Sequence, residues 1–438
     1  MQYVPNILFA LALFVGFGFF VRNIRKLYRN IKLGKDINRS DNKKERWKNM
    51  AMIALGQSKM VKRPFSGFLH IIVYVGFIII NIEVLEIIID GLFGTHRIFQ
   101  EVLGNAFYGF LIGTFEILAA LVFVAVIIFW TRRNIANIKR FLSSEMKGWP
   151  KMDGNLILYF EMVLMSLFII MNATDTSFQL AGIGNPISQL IAPLFDGFSP
   201  EALHTVERTA WWIHILGILV FLNYLYYSKH LHILLAFPNT FFANLNPKGQ
   251  FNNLESVTNE VKLMMDPDAD PYAMPEEGAE ETVPEKFGAS DVADLSWVQL
   301  LNSYTCTECG RCTSSCPANL TGKKLSPRKI MMDTRDRLEE VGRNIDANNG
   351  EFKDDGKQLL NDYISPEELW ACTSCNACVE ECPVNIDPLS IIMDMRRYLV
   401  MEQSAAPQEL NMMMTNVENN GAPWQYNQQD RLNWANEE

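Results

Sequence analysis

A mainly α fold in two halves is predicted: a five-helix transmembrane bundle followed by an α-helical soluble domain. Two observations predict it. Five long apolar runs crowd the first 237 residues, and one cysteine pattern occurs twice in the polar remainder. The averages over all 438 residues, 49% hydrophobic with a formal net charge of −10, conceal this division. The expected organisation is a membrane domain at 1–237, an acidic linker at 238–290, a cysteine-bearing domain at 291–402 and a tail at 403–438.

The apolar runs lie near 5–21, 66–90, 106–130, 155–172 and 210–236, and a span needs about 20 residues. The first lacks a positive leading segment and is followed by a basic one, so it reads as an anchor and not a cleaved signal. Fourteen Lys and Arg residues between Arg22 and Arg63, and then Arg132, Arg133, Lys139 and Arg140, mark two loops as cytoplasmic. The N-terminus is then outside and the C-terminal half inside. Basic residues gathered beside apolar spans are topology signals, which excludes nucleic acid as a partner.

The six histidines are informative. His70 falls about one turn inside the cytoplasmic end of the second span. His214 and His232, 18 positions apart on a continuous fifth span, occupy one face, about 27 Å apart along the axis. His70 and His232 then share a depth on opposed helices, and two neutral imidazoles so placed are what a six-coordinate haem b requires. The plainer reading of any one of them is an interfacial side chain with its polar edge in water. His230, pointing nearly opposite to His232, suits that reading equally well. His214 is a candidate ligand of a second haem, with Ile80 and Asn81 where a partner is needed. Glu83, Glu86, Glu116 and Glu161 lie inside spans, either to pass protons or to pair with buried donors.

After an acidic, Pro-containing stretch the chain resumes at Trp297 with a short helix, then helices at Pro327–Val341, from Pro366, and at Pro388–Met401, with a loop at Asn344–Lys357. The cysteine runs are Cys306, Cys309, Cys312, Cys316-Pro317 and Cys372, Cys375, Cys378, Cys382-Pro383. Each has the spacing C-x2-C-x2-C-x3-C-P, in which the fourth cysteine ligates the other of two iron–sulfur cubanes. The expected ligand sets are Cys306, Cys309, Cys312 and Cys382 for one [4Fe–4S] cluster, and Cys372, Cys375, Cys378 and Cys316 for the second. Zinc favours two C-x2-C pairs per ion, and disulfides need an oxidising compartment. All eight cysteines fall in the two runs, leaving none for nucleophilic catalysis.

Trp297, the run Cys306–Pro317, Gly322–Arg328 and Trp370–Cys372 resemble the iron–sulfur oxidoreductases related to the D-type polypeptide of heterodisulfide reductase. Trp211-Trp212-Ile213-His214 and Tyr227–His232 resemble the fused membrane part, similar to the E-type polypeptide of heterodisulfide reductase and to the gamma polypeptide of nitrate reductase. The resemblance implies a haem b bundle with ligands at His70, His214 and His232, in a bacterial or archaeal cytoplasmic membrane. It departs from the two-haem pattern at Ile80, where a histidine is expected. No cysteine follows Cys382, so the further cysteine-rich domains of the D-type polypeptides are expected on a partner chain, docked by the tail through Trp424 and Trp434. The expected function is a membrane-anchored component passing electrons between quinone, haem b, two [4Fe–4S] clusters and a cytoplasmic redox protein. A self-contained ferredoxin:quinone oxidoreductase and a structural anchor are the alternatives.

Overall fold

The computed structural model describes residues 3–267 and 286–436. Among the described residues there is no strand, only isolated bridges of Lys35 with Ser296 and of Leu360 with Ile364. Five helices are long and apolar enough to cross a bilayer, and the chain is a multi-pass membrane protein: Val4–Ile31, Pro64–Phe93, Asn105–Asn134, Trp149–Thr174 and Pro200–Tyr227. The last two begin earlier than their apolar runs. Pro150 and Pro200 occupy first-turn positions, and Ser199 accepts the Ala202 N–H, so the helix starts where the caps place it. The third span packs between the second and fourth, and the fifth packs on the fourth and first. Phe9, Ile112, Phe115, Phe168 and Ile215 fill the bundle's interior.

The fifth span is not continuous to residue 236. Its α-helix ends at Tyr224, a tight turn takes Leu225–Tyr227, and Ser228 is extended with ψ 144°. The Ser228 hydroxyl accepts the His230 N–H, starting a turn at Lys229–Leu231 that leads into a separate helix, His232–Phe241. His214 and His232 therefore sit on different helices, and the expectation that one face carries both is corrected. A serine that caps a new turn ended the run that its aromatic neighbours prolong in sequence.

The boundary expected at 237/238 also moves. Pro238 lies inside the His232–Phe241 helix, and Asn239 and Thr240 are fully buried. Within the expected linker, Glu255–Met265 is helical. Its most acidic part, residues 268–285 with Pro271, Pro275 and Pro284, lies outside the described residues. Ala289 and Ser290 are already buried against the following domain.

That domain follows its caps. Trp297–Thr305 and Pro366–Trp370 each begin with a capping box, Ser296 with Gln299 and Ser365 with Glu368. Pro327–Ala347 runs one and a half turns beyond expectation, and Pro388–Met401 matches it. Leu27 and Ile31 of the first span and Leu225 after the fifth share one hydrophobic core with Leu300, Met331 and Ile392. The two halves thus pack together. Gly34 permits a close approach, since a Cβ there would lie 2.6 Å from the Trp297 nitrogen. Asn30 donates to the Tyr304 hydroxyl at 2.9 Å, while Lys26 and Arg29 pair with Asp346. Lys62 and Arg63 pair with Glu380 and Glu381, so the basic loop and the cysteine-bearing domain lie on one side of the bundle. In the tail, Gln408–Asn420 is an exposed helix, and Trp424 and Trp434 are exposed.

Candidate functional site

The two cysteine runs fold alike. Glu308 and Ser374, each one residue before the second cysteine, have φ of 53° and 58°. Gly310 and Asn376, each one residue after it, have 71° and 59°. This left-handed pair wraps backbone N–H groups around the first thiol. Ser374 N–H points to Cys372 Sγ at 3.4 Å, and Glu308 N–H bonds Cys306 in the same way. Short helices, Arg311–Ser314 and Ala377–Glu381, carry the third cysteine of each run.

The thiols sort into two groups across the runs. Cys382 interacts with Cys306, Cys309 and Cys312, whereas Cys316 interacts with Cys372 and Cys378; Cys378 also comes within reach of Cys312, where the two groups meet. Cys306, Cys309, Cys312 and Cys382 border one cavity, with Cys378 of the other group at its wall. Burial, together with the neighbouring thiols, pushes Cys306 up to about 12 and Cys382 up to about 11. Such a nest holds thiolates only around compensating positive charge, which a metal cluster supplies. Among the described residues no three His, Cys, Asp or Glu side chains close around a single ion. The repeated C-x2-C-x2-C-x3-C-P spacing is the pattern that holds two iron–sulfur cubanes.

Three imidazoles gather beside the first group. His70 lies within electrostatic reach of His232 and of Arg311, the residue before Cys312. His230 and His232 have ring centroids 5.5 Å apart, and His230 is also within reach of His70. The expectation that His230 points away from His232 is corrected: in a tight turn, successive side chains do not follow α-helical angles. His232 Nδ1 bonds the Lys229 carbonyl at 3.0 Å, which fixes the ring and leaves Nε2 for a metal. His70 Nδ1 is buried without a partner. Both rings thus keep a nitrogen that no protein group takes up, as metal-ligating imidazoles do. His214 is set differently: it packs on Phe168, its polar contact is the Leu164 backbone, and Nδ1 is buried without a partner. Ile80 is buried in the surrounding apolar core.

Residues that sequence reasoning passed over bind the two groups together. Lys229 Nζ pairs with Glu308 and donates to the Pro150 carbonyl at 2.8 Å. Arg335 holds the other Glu308 oxygen at 2.8 Å. Arg311 donates to the Lys59 carbonyl at 3.1 Å, and Arg328, fully buried, reaches Glu145 at 2.7 Å and the Arg140 carbonyl at 2.7 Å. A lone charge between motif cysteines gives no periodic signal, and its partner is far away in sequence.

Toward the far end of the bundle, Arg97 is buried and donates to Asp175 at 2.9 Å, Tyr108 at 3.1 Å and Asn172 at 3.0 Å. Glu86 accepts from Tyr108, and Glu116 accepts from Asn172 and the N–H groups of Ile187 and Ser188. Glu86 and Glu116 are therefore paired with buried donors. Glu83 differs, with Oε2 buried and without a partner. Glu83 and Glu86 border a cavity with Arg97, Arg208, Trp211 and Trp212.

A model of the 4Fe-4S dicluster domain matches residues 305–386. Three relatives are informative. The Bacillus subtilis protein named probable iron-sulfur-binding oxidoreductase FadF is 30% identical over 95% of this chain and 59% of its own. The EtfAB:quinone oxidoreductase of Syntrophomonas wolfei is 25% identical over 92% and 55%. A probable membrane-anchored ferredoxin of Chromohalobacter salexigens is 35% identical over 34% and 24%. The C-type and D-type polypeptides of heterodisulfide reductases are also homologous. The chain spans little more than half the length of the first two. No solved structure matches.

Proposed function

Because this chain is a membrane-bound relative of iron–sulfur oxidoreductases and of heterodisulfide reductase components, with a 4Fe–4S dicluster domain at 305–386, we propose that it carries electrons between a haem b held by His70 and His232 and two crossed [4Fe–4S] clusters. One observation carries this reading: the imidazoles of His70, His230 and His232 lie within electrostatic reach of one another, His70 also of Arg311 in the first cysteine run, and Lys229 ties the histidine turn to Glu308 of that run. The haem and the clusters supply the one-electron chemistry, and the protein orients them and shapes their surroundings. Cys306, Cys309, Cys312 and Cys382 hold one cluster, and Cys372, Cys375, Cys378 and Cys316 the other. His214 is tied to the Leu164 backbone and packs on Phe168, and Ile80 stands where a second ligand is needed, which supports a single haem.

The Syntrophomonas relative's name gives EtfAB and quinone as its substrates. We carry these classes over: quinone on the membrane side and a soluble redox protein at the cluster domain. The cavity at Glu83, Glu86, Arg97, Trp211 and Trp212 supports a quinone site, since an aromatic wall and the Glu83–Glu86 carboxyl pair, with one Glu83 oxygen still free of a partner, suit a ring that exchanges protons on reduction. The basic loops share a side with the cluster domain, and the positive-inside rule makes that side cytoplasmic. The exposed tail, with Trp424 and Trp434, serves to dock the soluble partner.

Redox difference spectra of the purified protein test the core of this reading. A b-type α-band lost in His70→Ala and in His232→Ala, with iron and sulfide content retained, is the expected result. Wild-type protein without haem, or an unchanged band in both variants, overturns it.

A further inference from the structure

The two cysteine loops are an internal control for each other. Glu308 and Ser374 occupy equivalent positions, share the same left-handed backbone, and present the same N–H to the first thiol of their run. Serine supports that conformation without an ionic partner, so the loop itself does not require a carboxylate. Yet only the first copy places one there. Glu308 is 3% exposed and is held on both oxygens, by Lys229 and by Arg335. The Arg335 head also lies within electrostatic reach of Cys306.

Lys229 is the other half of this arrangement, and every polar part of it is engaged. Its ammonium meets Glu308 and the Pro150 carbonyl, its N–H donates to Asp153 at 3.2 Å, and its carbonyl accepts from His232 Nδ1. Asp153 is itself fixed by the Tyr224 hydroxyl and belongs to the fourth span. One residue thus grips the first cysteine loop with its side chain and orients a histidine of the membrane site with its main chain.

We infer that Lys229 and Glu308 form a positioning joint between the membrane histidine site and the first cysteine loop, fixing the distance between their two redox centres and setting the electrostatic field at the first cluster. The joint serves the Cys306–Cys309–Cys312–Cys382 group alone, because Ser374 in the second loop has no counterpart of it. This rests on the reading that a haem and two clusters occupy these sites. The step served is the passage of one electron from one centre to the other, with no bond made or broken. A buried negative charge disfavours the reduced, more negative cluster, and a buried positive charge favours it.

The test uses the full-length protein in detergent, with Glu308→Gln, Lys229→Gln and the double variant. Iron, sulfide and haem contents are measured first, then the midpoint potential of each cluster by EPR-monitored titration, then the rate at which reduced haem is reoxidised through the clusters. Glu308→Gln is expected to raise the potential of the first cluster and Lys229→Gln to lower it, with the double variant between them and the second cluster unmoved. Reoxidation is expected to slow about tenfold in both single variants. Opposite signs at unchanged cofactor content are what a purely structural pair cannot produce. Equal potentials and rates in all four proteins overturn the joint. So does loss of the first cluster from both single variants with the haem spectrum unchanged, since the pair then only builds the loop. Wild-type protein lacking haem defeats the functional reading itself, a result distinguishable from both.

Discussion

Replacing Arg46 with methionine tests how the His232–Phe241 helix is held. Arg46 is 1% exposed, at the junction of the basic loop and that helix. Its NH1 donates to the carbonyls of Phe241 at 3.1 Å and Ala243 at 3.0 Å. Its Nε reaches the Asp41 carbonyl at 2.8 Å, and its NH2 the Asp41 carboxylate at 2.6 Å. Methionine keeps most of the apolar stem but none of the donors. Asp41 has its side chain 57% exposed and recovers water, so its loss contributes little. The two carbonyls at the helix end lose their donor in a dry place, at about 1–3 kcal/mol each. The sum is about 2–6 kcal/mol, and at about 2 °C per kcal/mol for a large chain the thermal midpoint falls by about 4–12 °C. The assay is thermal bleaching of the iron–sulfur absorbance, because Asn239 of the same helix donates to the Val384 carbonyl beside Cys382. Lys48→Met is the comparison. Lys48 sits on the same basic-loop helix, but it and its partner Glu45 are mostly exposed, and its loss costs at most about 1 kcal/mol. Equal midpoints for the two variants would refute the reasoning, since buried and exposed donors would then be worth the same.

Cys316→Ser is expected to alter the low-temperature EPR signal of the cluster held by Cys372, Cys375 and Cys378. A change confined to the cluster of its own run removes the crossed assignment. Deleting residues 405–438 is expected to leave both clusters and the haem in place while the soluble partner is lost on purification; full co-purification of the shortened chain counts against tail docking.

Much of this molecule is legible in its sequence, and what is not has a physical reason. Spans are written in continuous apolarity, and the dicluster domain in a cysteine spacing repeated after 66 residues, from Cys306 to Cys372. Capping residues at Ser296 and Ser365 place helix starts correctly because the signal is local. The fifth span misled for the opposite reason: apolar and aromatic residues continue through Tyr227, and only the hydroxyl of Ser228 announces the break. That break reset the angular relation between His230 and His232. Lys229 and Glu308 are separated by 79 positions, and nothing in either neighbourhood marks them as partners. The docking of the two halves was likewise hidden, because Leu27 and Ile31 fall in the basic stretch after the first apolar run, where isolated apolar residues carry no signal of a buried face.

That shared core bears on how the protein is made. Leu27 and Ile31 leave the ribosome long before Leu300, Met331 and Ile392, which close over them. Asn30 sits where a Cβ on Gly342 would lie 2.5 Å from its amide nitrogen, so the late helix must be fitted onto a surface already in place. Chain order therefore has the spans synthesised before the cluster domain, whose apolar seam they cover in the finished fold. A fragment starting at Lys286 would lack those spans and emerge with an uncovered apolar seam, prone to self-association before any metal arrives.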